Sequence, residues 1–447
     1  MWINREIWPR VSLLNKEEKM QKEDVLKMIE EEGVEFVRLQ FTDIFGNLKN
    51  IAVNPDQMEK VFANRYSFYG SAIFNNMVEY DDKLYLYPDM ETFMILPWRP
   101  QQGKVAKIIC DVCTADGKPF ICSSRYILSK AAEKAAKKGY TMVAYPECEF
   151  FLFHVDENGQ PTTTSHEQAG YLDVGPADFG ENARRDIVLM LEEMGFEIES
   201  SHHEFAPAQH EIDFREDDAL KMADSIQTFK FAVRSIAKRF GMYATFMPKP
   251  RQDVAGSGMH VHLKLLKNGK NIFRKENGDY SDEALWFIGG IMEHAKALCA
   301  IANPTVNSYK RLLSGHCAPD RITWSDHGEK AFVVINREED DIRIELRFPD
   351  GSANPYLLLA SCMSAGLDGI EKKTAPGEKI DRLAYNTPEK LPEDLKDAIR
   401  EFEADQVVSG SLGKKFSEIY ARIKRDEWKS FIREVTSWEV DNYLTRI

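Results

Sequence analysis

The stretch Tyr145–Phe153, YPECEFFLF, sets Glu147 and Glu149 two residues apart inside an apolar run. Successive side chains of an extended strand alternate between faces, so both carboxylates point the same way. Two like charges that close repel, and apolar neighbours make the face costly to desolvate. A salt-bridged or solvent-facing pair would relieve the repulsion. So would a hard divalent cation such as Mg²⁺, which takes carboxylate oxygens. Taken alone, the stretch leaves these readings open.

The chain around it has 447 residues, enough for a large core and for two domains rather than one. A hydrophobic content of 43% with 29% charged residues is ordinary for a globular protein. The net charge is −14 and no basic block occurs, which argues against nucleic-acid binding by phosphate neutralisation. Seven scattered cysteines, an odd number, suit a reducing, cytoplasmic interior better than a disulfide framework. Cys110 and Cys113 form a CxxC inside the apolar run VAKIICDVC with no second pair, so they read first as buried strand cysteines and only second as a zinc or redox motif. The opening MWINREIWPR has no apolar signal-peptide region, and Met20 would serve as an alternative start. The longest apolar run, Ala284–Ala302, carries Glu293, His294 and Lys296, and reads as one buried helix, not a membrane span.

Working outward, the pattern is α+β. Lys22–Glu32 reads as a helix closed by Gly33. VEFVRLQF and LKNIAV alternate like strands around a turn at Asp43–Asn47, and KLYLYPD and ETFMILPW continue a strand-rich region to about residue 120. SSRYILSKAAEKAAKKG and ARRDIVLMLEEMG read as helices, the second ending at Gly195 ahead of a strand FEIESSHHEF. The tail from about Pro392 is mostly helical. The expected division is a loosely attached extension at 1–19, a small β-rich domain at 20–120 and a larger α+β domain at 121–447.

Three further clusters add weight to the first. SHHEFAPAQHEIDF places Glu204 and Glu211 among strand-like residues with histidines beside them. AGSGMHVHLKL alternates His260 and His262 after a glycine-rich turn. IRIELRFPD sends Arg343, Glu345 and Arg347 to one face. Core histidines and a solvated charge ladder would explain each one singly. Several carboxylates plus histidine on otherwise apolar strands suit Mg²⁺ or Mn²⁺. No phosphate-binding P-loop or dinucleotide fingerprint occurs.

From about Glu23 onward the chain resembles the type I glutamine synthetases of bacteria and archaea. The motifs that carry the resemblance are FTDIFGNLKN, YLYPD, PECEFFLF, GENARRDIVLMLEEMGFEIESSHHE, APAQHEIDF, FMPKP, GSGMHVHL, NPTVNSYKRL, IELRFPD and ANPYL. The resemblance implies a β-grasp-like N-terminal domain and a guanido-kinase-like catalytic domain on a curved antiparallel sheet. It further implies two stacked hexameric rings, a dodecamer, with each site shared between neighbours. In that family ATP phosphorylates the γ-carboxylate of glutamate and ammonia displaces the phosphate. Carried over by position, Glu149, Glu204 and Glu211 would hold one metal, and Glu147, His260 and Glu345 the other. Two ions would organise phosphoryl transfer without a P-loop. Arg311 and Arg347 match the arginines that receive the carboxylate substrate; Glu199, His262 and Arg343 match nucleotide contacts.

The departures fall in the substrate pockets. The family's FDGSS, with its ammonium-binding aspartate, reads FYGSA here and puts Tyr69 at that place. The family's flap PGYEAP reads SGHCAP, with Cys317 for the glutamate that completes the ammonium pocket. An uncharged, partly aromatic pocket offers little to NH₄⁺. Where the family reads SARNRSxxIRIP, this chain reads SDHGEKAFVVIN, which aligns Glu329 and Val334 with phosphate-binding arginines and Asp340 with a lysine. Exchanging a cation for an anion beside a triphosphate reverses Coulomb terms of about 4 kcal/mol each at an intermediate dielectric. Lys330 would compensate if the loop shifts, and Ala255 stands where the family has an asparagine that contacts glutamate.

Three readings follow. The first is an ATP-dependent ligase joining an amine other than ammonia to the γ-carboxylate of glutamate or a related acid. The missing phosphate cations count against ATP and favour the second, a metal-dependent enzyme of another class that uses the two-metal site and Arg347 on a carboxylate or polar substrate without ATP, with Cys317 either a nucleophile or acid or an inert buried thiol. The third is a non-catalytic scaffold or regulator, against which the complete ligand set argues.

Overall fold

The computed structural model describes residues 20–99, 102–328, 330–338, 341–380 and 389–447. The 1–19 extension, Glu329 and Asp340 lie outside the described residues. Lys22–Glu32 forms the expected helix, and Gly33 ends it at φ 63°, in the left-handed region that glycine enters without a Cβ penalty. Val34–Thr42 and Leu48–Val53 pair antiparallel. Their turn is organised by the buried Asp43, which accepts the Phe45 and Asn47 backbone N–H groups, each at 2.9 Å, and the Asn47 amide at 3.0 Å. Lys104–Cys113 lies parallel to Val34–Thr42. The first sheet is therefore mixed, continuing through Lys83–Pro88 to Ser67–Tyr69.

ETFMILPW does not form the expected full strand. Only Met94–Ile95 pairs, after a 3₁₀ turn at Met90–Thr92. The Thr92 hydroxyl supplies the reason: it donates to the Asp89 carbonyl at 2.7 Å and accepts from the Ile109 N–H at 2.7 Å, replacing a ladder partner. Cys110 and Cys113 are buried in Lys104–Cys113, and no disulfide forms among the described residues.

The second sheet is curled and centred on the strand Tyr140–His154. Met259–Lys267 flanks it on one side and Gln209–Phe214 on the other, both antiparallel. Ile198–His203 extends the second edge, while Ile342–Leu346, Val333–Arg337 and Trp324–Ser325 extend the first. Alternation divides the central strand by face. Cys148, Phe150 and Leu152 enter the core, where Phe150 and Phe214 meet Phe229 of the helix Ala219–Ala237 at 6.2 and 5.4 Å between ring centres. Glu147 and Glu149 point to the opposite face.

Ala284–Ala302 is not one helix but two, Asp282–Glu293 and Ala295–Ala302, bent by 74°. No single helix among the described residues is long and apolar enough to cross a membrane. Asp282–Glu293 packs backbone to backbone on Pro355–Lys372: a Cβ on Gly290 would lie 2.2 Å from the Ala365 carbonyl oxygen. At the bend, His294 pairs with Asp405 at 2.6 Å and Asp368 at 3.1 Å, and Lys372 also reaches Asp368 at 2.7 Å.

Burial alone would lower the His294 pKa, but the two aspartates outweigh it and raise it above 6.5. The same bonds hold both aspartates below 3.8 against the opposing effect of burial. The imidazolium contribution is thus complete below pH ~6.5 and is lost as pH rises through the higher folded value; the aspartate contribution is lost as pH falls below ~4. His294→Gln should lower the urea midpoint most near pH ~5.5 and by a shrinking margin above pH ~7. A gap independent of pH would show that the ring only packs.

Candidate active site

Strand register builds the site. Glu147 stands opposite His260 on one neighbour and Asp213 on the other, and Glu149 stands opposite Glu211. One strand further, His262 faces Glu345. Period-2 positions on adjacent strands therefore gather their polar side chains on one face.

Glu147 is the hub of the first group. Its carboxylate lies 3.0 Å from His260 Nδ1 and 2.7 Å from His262 Nε2. Burial pushes its pKa up, yet the bonds to the two imidazoles outweigh burial and leave it well below the usual carboxylate range. Glu345 completes a grouping with Glu147 and His260 whose ligand atoms lie within 4.8 Å of one another. Asn336 donates to Glu345 at 2.9 Å, and Arg347 pairs with the same carboxylate.

Glu204 and Glu211 form a second grouping, in which His202 lies 2.9 Å from Glu204 and 3.6 Å from Glu211. Glu149 lies between the groups, 4.0 Å from His260 and held at 2.6 Å by the Gln209 amide. Its pKa is raised by burial and by Glu204. Glu211 is held well above the ordinary range by burial and then by Asp213 and the remaining acids, and burial lifts Asp213 to about 7.

This face carries buried acids that repel one another. His260 Nε2 is buried without a hydrogen-bond partner. Carboxylate oxygens with imidazole nitrogen, largely buried, could hold a hard divalent ion such as Mg²⁺ or Mn²⁺.

Beside the first group lies a polar cleft of about 750 Å³. Glu199, His262 and Arg343, the expected nucleotide contacts, all line it. Its arginines are engaged: Arg343 with Asp341 at 3.4 Å and Glu338 at 3.5 Å, and Arg337 with Asp279 at 3.0 Å. Glu147, Asp326 and Glu338 add negative charge to the walls.

Arg311 is buried and donates to the Phe348, Pro349 and Arg347 carbonyls at 3.0, 3.1 and 3.1 Å. Burial lowers its pKa, and Glu149 and Cys317 act electrostatically in the opposite direction. Cys317 is half-buried and adopts φ 50°, backbone space that a non-glycine residue seldom enters. Tyr69 is not brought to this site within one chain. It is 67% exposed on the edge strand Ser67–Tyr69. Val334 is buried beside Ala331 and Ile380. Ala255 packs beside Phe151 and Phe153.

The sequence reading missed His202, Gln209, Asp213 and Asn336. Alternation held a signal for three of them: Gln209 and Asp213 share a face of QHEIDF with Glu211. His202 is likewise two residues from Glu204. Asn336 gave none, because its contact with Glu345 depends on strand pairing.

The family profile "Glutamine synthetase, catalytic domain" matches residues 122–443, and "Glutamine synthetase, beta-Grasp domain" matches residues 33–115. The glutamine synthetase of Clostridium saccharobutylicum is 46% identical over 440 residues, covering 96% of this chain and 99% of the relative. That of Methanosarcina mazei is 44% identical over 440 residues, covering 95% and 98%. That of Thermus thermophilus is 45% identical over 441 residues, with the same coverage. Solved structures of GmaS, one without ligand and one an ADP complex, each superpose with a TM-score of 0.86 at 34% identity. Each covers 94% of this chain and 99% of the GmaS chain.

Proposed function

The chain belongs to the glutamine synthetase family of ligases, and we propose that it joins an amine other than ammonia to the γ-carboxylate of glutamate or a related acid. The observation that carries this reading is a contrast between the acid and histidine face and the residues aligned with the family's ammonium pocket. Glu147, His260 and Glu345 lie together, as do Glu204 and Glu211 with His202, while Tyr69 and Cys317 stand where the family's ammonium-capturing acids align. The family generally uses divalent ions and ATP. Here Glu147, His260 and Glu345 would hold one ion, and Glu149, Glu204 and Glu211 the other, with His202 adjoining the second. Such ions, when bound, neutralise phosphate charge and polarise the reacting oxygens.

The chain's own groups do the remaining work. Arg347 and Arg311 would receive the carboxylate substrate, and Arg311 is held for this by its bonds to three carbonyls. The exposed Tyr69 would reach the site of a neighbouring copy, as a ring assembly allows. The curated relatives are named glutamine synthetases, and GmaS, at 34% identity, has been solved with ADP. Nucleotide use by the same fold supports the ligase reading over a metal enzyme that dispenses with ATP. The paired arginines and acidic walls of the cleft favour that second reading instead.

Calorimetry with ATP and Mg²⁺ separates the two. Binding below millimolar concentration is expected, followed by phosphate release with glutamate and a panel of amines in which ammonia ranks poorly. No nucleotide binding at millimolar concentration would sink the ligase reading.

A further inference from the structure

We propose that Glu167 is a positioning residue for the candidate metal centre: its buried carboxylate braces the turn that carries Glu204 and Gln209. The inference rests on the metal-centre reading above. Glu167 lies in the irregular segment after the central strand and is 4% exposed. One of its oxygens accepts from the Phe179 N–H at 3.0 Å. The other meets His203 Nε2 at 2.8 Å and also accepts the Ala208 N–H. The carboxylate therefore grips the 204–209 turn on both sides, through His203 before it and Ala208 near its end.

The turn is one that needs holding. Ala208 sits at φ 70°, a conformation that favours glycine. His203 Nδ1 faces the Glu204 carbonyl oxygen at 2.7 Å, so the ring links Glu167 to the backbone of Glu204. At the far end, the Gln209 carbonyl accepts the Glu204 N–H at 2.8 Å, and the Gln209 amide holds Glu149 at 2.6 Å. One carboxylate outside the site thus fixes the backbone from which Glu204 projects and the amide that orients Glu149. Partners of this kind beyond the ligands set their direction and so the affinity for an ion.

Glu167, His203 and His210 also satisfy the spacing of a metal site in their own right. Their hydrogen bonds favour the brace. Glu167 already takes three partners, His203 has both nitrogens engaged, and His210 Nδ1 faces Arg184 at 2.8 Å. His210 Nε2, which has no hydrogen-bond partner, closes on the Gly180 backbone, where an added Cβ would lie 2.3 Å from it.

Mn²⁺ titration of the full chain by calorimetry, with amide exchange on the same samples, tests the brace. Glu167→Gln should weaken Mn²⁺ binding by about 10- to 100-fold and speed exchange across residues 204–209 while the core strands stay protected. Adding Ala208→Gly to Glu167→Gln should recover part of the affinity, because glycine holds the turn's conformation without a brace. Wild-type affinity in Glu167→Gln would overturn the inference. So would a loss that Ala208→Gly leaves untouched, or loss of protection throughout the fold. Failure of the wild-type chain to bind Mn²⁺ would overturn the metal-centre reading itself, and the brace with it.

Discussion

Glu147→Ala is expected to remove Mn²⁺ binding at the first grouping and to cut turnover by roughly 10³-fold. The magnitude follows from the several kcal/mol that a bound ion contributes to charge stabilisation, about 4 kcal/mol at 1.36 kcal/mol per tenfold. Glu147 alone among the acids touches both His260 and His262, so its loss releases two imidazoles and a ligand together. Metal affinity is the direct readout. A second is the thermal midpoint: wild-type protein gains about 2.7 kcal/mol at 100 times the dissociation constant, and the variant should gain far less. Retention of full Mn²⁺ affinity by Glu147→Ala would remove Glu147 from the ligand set.

Arg125→Ala should be the most damaging single change to the fold, costing about 3–5 kcal/mol. Arg125 begins the helix Ser124–Lys137, and its guanidinium is buried among carboxylates. It donates to Asp224 at 2.9 and 3.1 Å, to Asp111 at 2.7 Å and to Asp89 at 2.6 Å. Asp89 and Asp111 belong to the first sheet region, and Asp224 to the helix beneath the second sheet. Without Arg125, Asp224 keeps the Tyr356 hydroxyl at 2.7 Å but loses its paired guanidinium, leaving a buried charge that only the more distant Lys107 offsets. Arg125→Lys should recover only part of the loss, because an ammonium cannot fork across the pair. Pairing Arg125→Ala with Asp224→Asn should cost less than the sum of the two. Urea unfolding measures all four, and strict additivity would show that the contact carries little energy.

Much of the scaffold was legible in the sequence, because periodicity is a local property. YPECEFFLF gave the central strand and its two faces, and the Lys22–Glu32 helix ended where Gly33 required. Local pattern misled where a side chain competed with the ladder. Thr92 replaced a strand partner and shortened ETFMILPW, and the chain bends at His294 within an apolar run that composition alone reads as continuous. Gln209 and Asp213 carried a readable alternation. Glu167 carried none, since it acts from an irregular segment across the turn that it grips.

By itself the sequence determined the family and the face to which Glu147 and Glu149 point. Motif identity and two-residue alternation are written along the chain and need no partner strand. Only the tertiary structure decided what those carboxylates meet. Antiparallel register set Glu147 against His260 and Asp213, and Glu149 against Glu211. A slip of one residue would have turned the whole set to the other face. The pair that began as two like charges on a strand is a shared site because register brings its partners from segments far apart in sequence.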